Sequence, residues 1–160
     1  MHPIKTILFP TDESECSRSA FRVASSLAKD LGARLIILEV VPSAVTIYGP
    51  PSEAYFEQMR SGLDQLQVDD AHVCVERRIV EGNPAAAILR EAEDSNTDLI
   101  LMASHGRTGA KRILLGSVAE TVLRRSRCPV LVIKTPGCPQ EASETTDSIN
   151  AGLPVKALWA

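Results

Sequence analysis

At 160 residues, 44% of them hydrophobic, the chain suits one domain that buries about 68 to 70% of its unfolded surface without disulfide staples. A net charge of −3 with acids and bases interspersed, and only 4% aromatic residues, give no electrostatic or stacking ground for nucleic-acid binding. Met1 to Lys5 leads straight into a strand-like run, and no apolar stretch approaches the roughly 20 residues of a membrane helix, so a cytoplasmic protein with neither membrane nor nucleic-acid partner is expected.

Ile4 to Phe9 reads as a short buried strand bounded by Pro10. Asp12 with Glu15 three residues on resembles a capping box, and Ala20, Val23, Ala24, Leu27 and Leu31 recur at helical spacing until Gly32 ends the helix. Arg34 to Val41 gives a second buried strand. The proline-rich connection Pro42 to Ser52 exceeds the usual 2 to 6 residues, as a lid or an insertion would. Glu53 to Leu66 is helical by pattern, though Gly62 weakens it. Ala71 to Val80 alternates, with Val73, Val75 and Arg77 on one face, which suits an edge strand.

Gly82-Asn83-Pro84 then supplies a turn, an N-cap and a proline at the first helical position, opening a helix from Pro84 to Glu93. The strand Asp98 to Ala103 follows, then a helix from Ser117 to Ser126 and a last strand, Val130 to Ile133. Arg124, Arg125 and Arg127 stand where that last helix ends and complement its dipole. The four cysteines, Cys16, Cys74, Cys128 and Cys138, form no C-x-x-C pair, and reduced thiols are expected. Strands alternating with helices require right-handed crossovers and a parallel sheet covered on both faces, hence a doubly wound α/β fold whose ligand crevice lies at the carboxyl ends of the strands.

Within that scheme the segment Met102 to Glu120 is a candidate anion site. A buried strand, a loop with Gly106 and Gly109, and a helix starting near Gly116-Ser117 place backbone N–H groups and a positive helix end together. Ser117-x-x-Glu120 is also a capping box, so the Ser117 hydroxyl has a purely structural use open to it. Gly116-Ser117 lacks the lysine of a P-loop, and Pro10-Thr11-Asp12 is not a dinucleotide fingerprint.

Pro10-Thr11-Asp12 after the first strand, Gly82-x-Pro84, Ser104-His105-Gly106-Arg107-Thr108-Gly109, Leu115-Gly116-Ser117-Val118-Ala119-Glu120 and Cys128-Pro129-Val130-Leu131-Val132 together resemble the universal stress protein family. The likeness covers roughly residues 3 to 134. It implies a five-stranded parallel sheet in the order 3-2-1-4-5 with helices on both faces, of the adenine nucleotide alpha-hydrolase-like kind, and a homodimer formed through the fifth strand, Val130 to Ile133. The ATP-binding branch carries G-x2-G-x9-G-[S/T]. Here Gly106 and Gly116-Ser117 match, while Ala103 replaces the first glycine.

By that resemblance ATP or AMP is the ligand, and Mg accompanies it. Thr11 and Asp12 reach ribose or the metal, Val40 packs on adenine, and Gly106, Arg107, Gly109, Gly116, Ser117 and Val118 hold phosphates. Pro10, Met102, Ala103 and Ala119 complete the wall, and His105 orients the loop or meets a phosphate. No carboxylate pair with a water-positioning base accompanies them, so hydrolysis is expected to be slow or absent. The alternative is a dimeric scaffold that has lost nucleotide binding through Ala103. A domain of residues 1 to 134 is expected, with a polar extension, residues 135 to 160, that is a tail or docks on a partner subunit through Leu158 and Trp159.

Overall fold

The computed structural model describes residues 3–42, 51–106 and 115–134; the extension and most of the proline-rich connection lie outside them. The elements run β1 (Thr6–Thr11), α1 (Glu15–Leu31), β2 (Arg34–Pro42), α2 (Glu53–Asp64), β3 (Val75–Gly82), α3 (Pro84–Asp94), β4 (Leu99–Ala103), α4 (Ser117–Arg125) and β5 (Val130–Ile133). All pairs are parallel and the sheet order is β3-β2-β1-β4-β5. The doubly wound architecture and its strand order are therefore as the sequence implies. Among the described residues no helix is long and apolar enough to cross a membrane.

Two cores explain why strands buried on both faces read as unbroken apolar runs. Ile7, Phe9, Leu35, Ile37, Leu99 and Leu101 point to one face and meet Ala20, Phe21, Ala24 and Ala28 of α1 and Leu63 of α2. Leu8, Ile36, Leu38, Ile100 and Met102 point to the other and meet Ala85, Ile88 and Ala92 of α3 and Ala119 and Val122 of α4. Small residues on α1 let it lie close to the sheet, and each large apolar side chain removed from water contributes about 1.5 to 3 kcal/mol.

Local chemistry sets the element ends. Gly32 closes α1 in the left-handed region at φ 60°, returning its N–H to the Ala28 and Lys29 carbonyls in the geometry glycine adopts without a Cβ penalty. Asn83 caps α3 through the Ala86 N–H, with Pro84 at the start, as expected. Gly62 has a packing reason: a Cβ there would collide with the Glu13 carboxylate. Glu13 itself is a non-glycine residue at φ 61°. Arg77 lies over the end of α2, donating to the Leu63 carbonyl at 3.0 Å and the Leu66 carbonyl at 2.8 Å. Nearby, Arg78 donates to Glu76, Glu91 and Ser95, and the hydrogen bond to Glu76, ahead of the one to Glu91, raises its guanidinium above the ordinary arginine range.

Four readings need correction. β1 starts at Thr6 and runs through Pro10 to Thr11, because the neighbouring β2 pairs with it up to Thr11 beside Glu39. β3 starts at Val75, since Asp70 takes the His72 N–H at 2.9 Å and turns the chain just before it. α1 is capped by Ser14, whose side chain accepts the Ser17 N–H, while Asp12 sits upstream and holds Ser14 instead. Finally, Cys74 and Cys128 are free thiols but Cys16 is disulfide-bonded, so the expectation of reduced thiols fails at that position.

Candidate functional site

β1 and β4 pair only at Ile7 with Leu99 and Leu8 with Ile100. Beyond that point β1 continues beside β2 as far as Thr11, and β4 continues beside β5 as far as Ala103 with Ile133. The two central strands thus separate at their carboxyl ends, where strand order reverses, and this is where such sheets open a ligand crevice.

A cavity of about 240 Å³ occupies the gap. Pro10 and Thr11 line it from β1, Asp12 from the turn after it and Val40 from β2, opposite Met102, Ala103, His105 and Gly106 from β4 and its loop. Gly116, Ser117, Val118 and Ala119 close it with the start of α4. The expected lining residues are thereby brought together, except Arg107 and Gly109, which lie outside the described residues. Ser17, Glu39, Pro42, Tyr55, Met59, Pro84, Ile88 and Ser104 also line the cavity and were not anticipated. Tyr55 with Met59 on α2, and Pro84 with Ile88 on α3, each stand four residues apart, the helical spacing that turns two side chains to one side. Glu39 had a signal of its own, a lone acid inside the apolar run Leu35 to Val41.

Hydrogen bonds fix the β1 side. Asp12 Oδ1 accepts the Ser14 hydroxyl at 2.7 Å and the Ser14 N–H at 3.1 Å. Thr11 Oγ1 accepts the Ser17 hydroxyl at 2.9 Å and the Glu13 N–H at 3.2 Å. Across the gap, the Gly116 N–H donates to the Ser104 carbonyl at 2.8 Å and the Ser104 N–H to the Ile133 carbonyl at 2.9 Å. Ser104 Oγ and His105 Nδ1 are 3.1 Å apart, a contact consistent with a loop-orienting histidine.

Two glycines sit at close approaches. A Cβ on Gly106 would strike Asp12 Oδ2, and one on Gly116 would come within 3.3 Å of the Ser104 carbonyl oxygen. Ala103 behaves differently. It is paired in β4 and is not among the positive-φ residues, and its methyl packs against the α1-side core. In extended geometry alanine carries no backbone penalty relative to glycine.

The Ser117-x-x-Glu120 capping box does not form. Gly116 is the N-cap with extended backbone and no side-chain cap bond, which moves Ser117 into the first helical position, and the Glu120 N–H bonds the Gly116 carbonyl at 2.8 Å. The N–H groups of the first turn find no carbonyl in their own helix and carry the positive end of its dipole. They face a cavity wall that also contains Val40, Ile88 and Met102. An anion at the α4 end and a flat apolar body deeper in are what this arrangement accommodates.

For a divalent metal the donors are sparse. Asp12 is the lining carboxylate on the loop side, and among the described residues no group of three or more metal-ligating side chains exists. That set fits Mg2+ arriving with phosphates, which is held by one or two carboxylates plus phosphate oxygens and water, and it does not fit an all-protein cage.

A model described as the Universal stress protein family matches residues 3–134. Universal stress protein MJ0531 of Methanocaldococcus jannaschii is 37% identical over 142 residues, covering 82% of this chain and 83% of that protein. The solved structure of hypothetical protein MJ0577 is 32% identical with a TM-score of 0.75, across 85% of this chain and 99% of the other. A universal stress protein solved in complex with cAMP is 27% identical with a TM-score of 0.61, across 84% of this chain and all of the other, 100%.

Proposed function

The chain belongs to the universal stress protein family, and from that premise we propose that it is a regulatory adenine-nucleotide-binding protein of the stress response. The carrying observation is the cavity between the parted ends of β1 and β4, with helix-start N–H groups at one end and apolar walls at the other. A similar protein solved with cAMP supports the ligand class. ATP or AMP is the proposed ligand, with Gly116, Ser117 and Val118 toward phosphates, Val40 against the base, and Thr11 and Asp12 toward ribose or accompanying Mg2+. Hydrolysis is proposed to be slow or absent. The cytoplasm, where adenine nucleotides are abundant, is the proposed setting, even though disulfides such as that of Cys16 are transient or redox-sensing in reducing compartments. Isothermal titration with ATP and AMP tests the reading: saturable heat is expected, and folded protein giving no heat at millimolar ligand would overturn it.

The rival reading, a scaffold whose site has lapsed, depended on Ala103. Its extended backbone and core-facing methyl support the reading that alanine is tolerated there. Ala103→Gly is accordingly expected to change AMP affinity by less than about threefold while lowering stability by about 0.5 to 1 kcal/mol, the backbone-entropy cost of a strand glycine. A gain of tenfold or more in titration would revive the scaffold reading.

The proposed homodimer uses β5. This strand is at the sheet edge, and Leu131 on it is 39% exposed, whereas edge strands that avoid pairing carry charge or proline. Leu131→Lys is expected to shift the protein from dimer to monomer in sedimentation analysis. A dimer that survives the change at micromolar concentration places the interface elsewhere.

A further inference from the structure

Of the four cysteines in the chain, Cys74 and Cys128 are free thiols while Cys16 is disulfide-bonded. Within one chain that leaves Cys138 as its partner, although Cys138 itself lies outside the described residues. Cys16 stands in the first turn of α1 and is 6% exposed. Which side of the helix it occupies follows from a second contact. Lys29, near the other end of α1, pairs at 3.4 Å with Asp70, which precedes β3, so Lys29 marks the side of the helix toward that edge of the sheet. Counted at about 100° per residue, Cys16 stands about 140° away from Lys29 around the axis. It is therefore turned toward β4 and β5.

The chain beyond β5 starts within reach of it. Ile133 ends β5 opposite Ala103 and packs against the core on the α1 side of the sheet. Only β4 stands between β5 and β1, a distance of about 10 Å, and α1 begins four residues after β1 ends. The end of β5 and the start of α1 thus share one edge and one face of the sheet. From Ile133 to Cys138 is five residues, which reach at most about 16 to 18 Å. That covers two strand spacings and leaves several ångströms for the rise to the helix layer.

We propose that Cys16 and Cys138 form a redox-responsive tether, which fixes the start of the C-terminal extension beside α1 under oxidising conditions and releases it under reducing ones. The chemistry is thiol–disulfide exchange. The two cysteine thiols and one low-molecular-weight disulfide give the Cys16–Cys138 bond and two small thiols, and the reverse exchange consumes two small thiols. What makes the bond responsive is the composition around Cys138, rich in Pro, Ser, Thr, Gly and acids, which buries too little apolar surface to hold the sulfurs together by packing. Cys138 then meets Cys16 at the effective concentration of a short flexible link, on the order of millimolar. The assignment is independent of the nucleotide reading.

The test starts from the full chain equilibrated with oxidised glutathione, alkylated in denaturant, digested without reductant and analysed by mass spectrometry. A peptide pair joined through Cys16 and Cys138 is expected, with label on Cys74 and Cys128; label on Cys16, or its linkage to another cysteine or a second chain, overturns the pairing. Glutathione buffers then read the poise. Half-conversion is expected where [GSH]²/[GSSG] is on the order of 1 to 100 mM, whereas half-conversion above about 1 M marks a permanent staple and overturns the redox response. Dithiothreitol is expected to lower the melting temperature of wild type by about 4 to 8 °C and to leave that of Cys138→Ser, a substitution beyond β5, unmoved. No drop in wild type, or an equal drop in both proteins, overturns the tether.

Discussion

Gly106→Ala is expected to weaken AMP binding by about ten- to a hundredfold while shifting the melting temperature by no more than a few degrees. The new Cβ would occupy the place of Asp12 Oδ2. Asp12 cannot swing aside without cost, because Oδ1 holds the Ser14 hydroxyl at 2.7 Å and the Ser14 N–H at 3.1 Å, and Ser14 caps α1. Either the loop after β4 moves outward or the turn after β1 reorganises, and both carry proposed ligand contacts. Losing one charge-assisted hydrogen bond, at about 1.5 to 3 kcal/mol, accounts for the magnitude. Gly106 is exposed, so the fold itself has little at stake. Calorimetric titration beside thermal denaturation separates the two quantities. Unchanged affinity in a folded variant would show that the Gly106 loop does not meet the nucleotide.

The second large effect falls on stability. Phe9 is completely buried, and its ring meets that of Phe21 edge-on with centroids 5.5 Å apart. Phe9→Ala removes the transfer free energy of an aromatic ring and leaves a cavity that the sheet and α1 cannot close, a loss of about 3 to 5 kcal/mol. Against the 5 to 15 kcal/mol typical of whole domains, that is a large fraction. A domain of this size loses about 2 to 4 °C per kcal/mol, so a drop of about 6 to 20 °C in melting temperature is expected. Equilibrium urea unfolding at constant m-value checks that only stability has changed. A drop under 2 °C would mean that the Phe9 pocket is not packed as described.

The doubly wound class was legible in the sequence because it follows from alternation of strands and helices, while the strand order, and with it the place of the crevice, came with the family resemblance that the loop motifs carry. Pro10-Thr11-Asp12 ends β1 and Ser104 to Gly106 follows β4, and adjacency of β1 and β4 brings them together. Glu39 was not read as a site residue, since a strand buried on both faces offers no polar alternation from which to assign its direction. Tyr55 and Met59 reach the cavity only through the docking of α2, which follows a long connection and leaves no local signal. Each missed cap was displaced along the chain from the one assigned. Asp12 and Ser14 are both good caps, and the choice is made by Asp12 holding Ser14. Gly116 took the cap from Ser117 because its close approach to the Ser104 carbonyl fixes where the helix begins. The disulfide of Cys16 contradicts an expectation drawn from compartment chemistry, which contains no information on which thiols the fold brings near.

The short join between β1 and β4 has a mechanical meaning. The sheet amounts to two planks, β3-β2-β1 and β4-β5, pinned at Ile7 with Leu99 and Leu8 with Ile100. A molecule lodged where the planks part acts as a clasp across them. Its contribution to holding them together grows with concentration as RT ln(1 + [L]/Kd), without any change of shape. Because β5 belongs to the same plank as β4, stiffness at the join is transmitted to the edge proposed for pairing with a second copy. Amide hydrogen exchange along Leu99–Leu101 would then report occupancy of the cavity, and the message passed outward would be rigidity rather than movement.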